Sequence, residues 1–66
     1  MTVEEAYNLA ASDPKWAADY KKAVELHREA ILYQIQGEGE KARTCERRAA
    51  RIAVRLNNRL QDILGQ

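Results

Sequence analysis

An all-α fold is predicted by three features of the chain. Apolar residues recur at three- and four-residue spacing along most of its length. The composition has no Phe, one Pro and three Gly, which suits packed helices rather than strands. Helix-boundary residues stand at both gaps between the apolar rows. The expected architecture is a short N-terminal helix followed by two long helices folded back as an antiparallel hairpin, with two hairpins dimerising into a four-helix bundle.

The first helix is expected over about residues 3–11. Thr2-Val3-Glu4-Glu5 has the capping-box form, in which the Thr2 hydroxyl accepts from the backbone N–H of Glu5 and the Glu5 carboxylate accepts from that of Thr2. Val3, Ala6, Tyr7 and Ala10 then make one narrow apolar stripe. A helix this short is marginal alone and must dock on something.

Asp13-Pro14 opens the second helix, expected over about 14–36, because Asp is a good N-cap and Pro at the first helical position lacks only an N–H that has no partner there. Gly37 suits a left-handed C-terminal cap, and Gly39 frees the turn before Glu38 and Glu40 place negative charge at the next N-terminus. The third helix is expected over about 40–64, stopped by Gly65. A connection this short makes the two long helices antiparallel.

In the second helix Ala17, Tyr20, Val24, His27, Ile31 and Gln34 form the main row, with Ala23, Leu26, Ala30 and Tyr33 beside it. Together they span about 200° of the circumference, against roughly 100° for a helix with one neighbour. The third helix repeats the pattern with Ala42, Cys45, Ala49, Ile52, Leu56 and Ile63, flanked by Ala53 and Leu60. Folding the chain about Glu38 sets Ile31 near Cys45, His27 near Ala49, Val24 near Ile52 and Tyr20 near Leu56. Large then faces small or medium at each level. The leftover apolar width predicts a second copy, with Ala23, His27, Ala30, Gln34, Ala49 and Ala53 as the interface.

Length sharpens that expectation. A domain of 66 residues buries only about 60% of the surface its unfolded chain exposes, and such domains usually need a staple. Cys45 and His27 are the only residues of their types, which excludes an internal disulfide and a His/Cys zinc site within one chain. Self-association is the remaining route.

Chemistry is sparse. His27 reads as a core imidazole rather than a ligand or general base, because no carboxylate stands three or four residues away on its face. Cys45 lies on the apolar row and reads as a small, reduced core residue. Tyr20 is assigned to the core, and Trp16 is expected to pack under the N-terminal helix. Leu32 and Val54 lie off the apolar faces. No phosphate loop, paired inward carboxylates or metal-spaced ligands occur. The reading is therefore a non-enzyme without cofactor or metal.

Arg43, Arg47, Arg51, Arg55 and Arg59 recur every fourth residue, with Lys41 and Arg48 alongside. Residues 41–66 carry seven basic and two acidic side chains, net +5, whereas residues 1–40 carry four and eight, net −4. Like charges at this spacing cost about 0.2–0.5 kcal/mol per pair in an isolated helix, so something outside the helix is expected to neutralise them. Arg43, Arg47, Arg51 and Arg55 are the candidate partner-binding residues. An acidic protein surface suits bidentate guanidinium forks; the alternative is nucleic-acid backbone, although a chain pI of about 7.9 is low for such a domain. The expected function is an adaptor, inhibitor or regulator acting as a homodimer. With no basic-then-apolar leader and no apolar run of membrane-spanning length, the expected location is the cytoplasm.

Overall fold

The computed structural model describes residues 1–66 as three helices and no strand: α1 Val3–Ala11, α2 Pro14–Ile35 and α3 Gly39–Leu64. Each boundary has a local cause. At Thr2 the capping box closes, with Glu5 N donating to Thr2 Oγ1 at 3.1 Å and Thr2 N donating to Glu5 Oε1 at 3.1 Å. Asp13 caps α2 by accepting from Lys15 N at 2.9 Å. Gly37 takes φ +79°, which lets Gly37 N–H reach Gln34 O at 3.1 Å and Glu38 N–H reach Tyr33 O at 2.9 Å. These bonds satisfy carbonyls that the end of α2 leaves open. α3 begins one residue earlier than expected, at Gly39.

Contacting residues climb α2 as they descend α3. Trp16 meets Leu56, Asp19 meets Arg55, Glu29 meets Cys45 and Tyr33 meets Lys41. α1 lies across both helices at the end remote from Gly37 and adds Ala6 and Ala10 to a cluster of Trp16, Leu56, Leu60 and Ile63. A second cluster, Leu26, Ala30 and Cys45, lies nearer the turn. Ile52 packs against both clusters. The molecule is a rod of 44 × 18 × 17 Å.

The face of α2 that meets α3 differs from the one expected. Ala23, Leu26, Ala30 and Tyr33, read as the flanking row, are the ones packed inward. Tyr20, Val24 and Ile31, read as the main core row, are 48%, 42% and 49% exposed. Tyr20 is therefore not a core residue, and the four expected cross-helix pairs do not set the packing. Two local features select the rotation: the turn bonds hold Tyr33 beside the start of α3, where Lys41 Nζ stands 5.7 Å from its ring centroid, and Trp16 turns inward at the other end. His27 is exposed rather than buried. In α1 only Ala6 and Ala10 of the expected stripe are buried, while Val3 and Tyr7 stay exposed.

Burial is thin. Ten of the 66 residues are buried, and Leu26 is the only large side chain fully so. No helix is long and apolar enough to cross a membrane.

Candidate interaction surfaces

Two surfaces remain once the helices have packed. The first is on α3, where Arg43, Arg47, Arg51, Arg55 and Arg59 are all exposed. A four-residue repeat advances slightly more than one helical turn, so the row winds around α3. Its C-terminal end comes beside the start of α2: Arg55 and Arg59 share a shallow depression with Asp13 and Asp19. Arg55 Nη2 lies 3.9 Å from Asp19 Oδ2, with the arginine side chain 60% exposed. That is a loose, solvated pair worth at most about 1 kcal/mol. Earlier in the row, Arg47 Nη2 donates only to Thr44 Oγ1, at 3.4 Å. Among the five arginines of the row, only Arg55 thus forms an ion pair with the acidic half of the chain.

Lys41 is the basic residue with the clearest partner. Its Nζ lies 3.1 Å from Glu38 Oε1. That hydrogen bond, and then the charge of Glu38, hold its pKa above the ordinary lysine value. The pair sits at the turn and belongs to the connection between helices rather than to the arginine row.

The second surface is an open groove of about 620 Å³ along the seam of α2 and α3. Thirteen residues line it and ten of them are apolar or aromatic. Tyr20, Val24 and His27 rise on the α2 side, while Ala49, Ala50 and Ala53 keep the α3 side low. Trp16 closes one end, stacked on Tyr20 at 5.6 Å between centroids and met edge-on by Tyr7 at 5.9 Å. Glu46 is the only acidic or basic side chain, apart from His27, in the lining.

The six residues assigned to an oligomer interface separate in the structure. Ala23, His27, Ala49 and Ala53 line the groove. Ala30 is 1% exposed and packs inside the chain against Leu26 and Cys45. It is used up by the contact between α2 and α3, whose approach its small side chain permits, and does not reach a neighbour. Gln34 is exposed but outside the groove. Tyr20, Val24 and Ala50 were not assigned to the interface. Tyr20 and Val24 belong to the broad apolar arc of α2 that the sequence shows, whereas Ala50 lies on α3 outside the rows read there.

No polar or charged side chain is buried, and no three His, Cys, Asp or Glu residues cluster closely enough to hold a metal ion. Cys45 is buried, with Sγ donating weakly to Glu29 Oε2 at 3.8 Å. Compared with known protein families, curated proteins and solved structures, the chain matches none.

Proposed function

We propose that the chain is a small non-catalytic binding protein, an adaptor, inhibitor or regulator, that works as a helical-hairpin homodimer and recognises an acidic protein surface through α3. The observation that carries this reading is the exposed arginine row, of which Arg43, Arg47 and Arg51 have no carboxylate within salt-bridge distance. Guanidinium groups in a row along one helix repel one another and match carboxylates as bidentate forks. Their arrangement is costly to the free chain and useful to a complex.

Nucleic-acid backbone is the competing partner. Asp13 and Asp19 beside Arg55 and Arg59 disfavour it, since they would face the same phosphates. The test is capture of partners from nuclease-treated and untreated lysate, followed by Arg47→Gln, Arg51→Gln and Arg55→Gln together on the purified complex. The triple variant is expected to keep its helical content and lose partner binding. A nucleic-acid complex with six or more phosphate contacts would weaken by about 10³-fold or more between 50 and 200 mM salt, whereas a protein complex with desolvated arginines is expected to weaken far less. Unchanged binding by the triple variant would remove the arginine row from the function.

A further inference from the structure

We infer that the groove between α2 and α3 is the seat of a second copy of this chain, filled by the Tyr20–Val24–Ile31 row of that copy. The inference rests on the self-association proposed above and states which face carries it.

Surface area is the first argument. The chain exposes 4981 Å², about 700 Å² more than the roughly 4,250 Å² that the size scaling of folded monomers gives for its mass. That excess is close to the about 800 Å² per partner buried in a standard stable interface. A rod only 18 × 17 Å in section removes such an area when it lies lengthwise against another rod of the same size.

Self-complementarity is the second. A two-fold dimer needs one face that carries both halves of the fit, because residue i on one copy meets residue j and the reverse. This face does so. Tyr20, Val24 and Ile31 stand out from α2 at 42–49% exposure, while Ala49, Ala50 and Ala53 leave a low strip on α3. Larger side chains of each copy enter over the alanines of the other, and close backbone approach follows from the small residues. An unrelated partner would have to supply that same pattern of rise and recess.

Charge is the third. The lining holds Glu46 as its one carboxylate, and Arg43, three residues earlier and so on the same side of α3, supplies a rim cation. Arg51 stands two residues from both Ala49 and Ala53, which places it across the helix from the groove. By the same spacing Arg47, three residues before Ala50, stands at the rim, and a dimer formed here leaves Arg51 of both copies facing away from the seam.

The test uses the full chain. Val24 and Ala53 are exposed within one copy, so Val24→Glu and Ala53→Glu are expected to stay helical as monomers. Each change enters a two-fold interface twice and is expected to weaken dimerisation by at least about 100-fold, because it buries unpaired like charges. Leu32→Glu, an exposed apolar position outside the groove, is expected to leave it unchanged. A variant-free readout is isotope-filtered NMR on a mixture of labelled and unlabelled wild-type chains. Contacts between copies from Val24 or Ile31 methyls to Ala50 or Ala53 are expected. Intermolecular contacts confined to other residues, or groove variants that dimerise like wild type, would overturn the groove while leaving self-association standing. A folded wild-type monomer at high concentration would overturn both.

Discussion

At Trp16 an indole that is 7% exposed donates from Nε1 to Leu56 O at 3.2 Å while stacking on Tyr20 and packing under α1. Truncating a buried Trp to Ala costs about 3–5 kcal/mol, as much as the entire core of a domain this small supplies. Trp16→Ala is accordingly expected to abolish cooperative unfolding in a urea titration followed by circular dichroism. Trp16→Phe keeps most of the apolar area and loses the hydrogen bond, so an unfolding free energy lower by about 1 kcal/mol or somewhat more, read as a lower urea midpoint, is expected. Cys45 carries less. Cys45→Ala removes one sulfur from the Leu26–Ala30 cluster and is expected to cost about 1 kcal/mol, with native labelling by a thiol reagent far slower than labelling in urea. Lys41 contributes across neutral pH and loses its effect only at high pH: its raised pKa means that its contribution is complete below the unfolded lysine value and is lost as pH rises through the higher folded one. NMR titration of the Lys41 side chain should place its midpoint above that of Lys41 in Glu38→Gln.

At the scale of the element, α1 depends most on its cap. Its nine residues cannot hold a helix alone, and two orphan N–H groups are met by the capping box. Thr2→Ala is expected to cost about 0.5–2 kcal/mol, and faster amide hydrogen exchange in residues 4–8 than in α2 or α3 is the measurement that checks it. Helix boundaries were legible because they are local chemistry: Thr2 with Glu5, Asp13 with Pro14, and Gly37 each act through bonds to near neighbours. The face of α2 turned to α3 was not legible. Two apolar rows run side by side along α2, and periodicity weighs them equally; what separates them is where the turn holds Tyr33 and where Trp16 finds its carbonyl acceptor forty residues away. The arginine row was legible as a row, since spacing alone defines it. The loose pairing of Arg55 with Asp19 was not, because that depends on the register between helices.

For the whole molecule, the ten buried residues and the apolar seam beside them have to be read together. A free chain leaves Tyr20 and Val24 of that seam, and Ile31 and Ile35 farther along α2, in water, at about 25 cal/mol for every Å² of apolar surface that association would remove. Burying the seam against a second copy joins dimerisation to folding, so the unfolding midpoint should rise with protein concentration. The most direct measurement is sedimentation equilibrium on the wild-type chain at micromolar concentrations, with helical content recorded on the same samples. A helical species of twice the 7.5 kDa chain mass is expected. A stably helical species at the mass of one chain, across the whole concentration range, would contradict self-association and with it the groove as its seat.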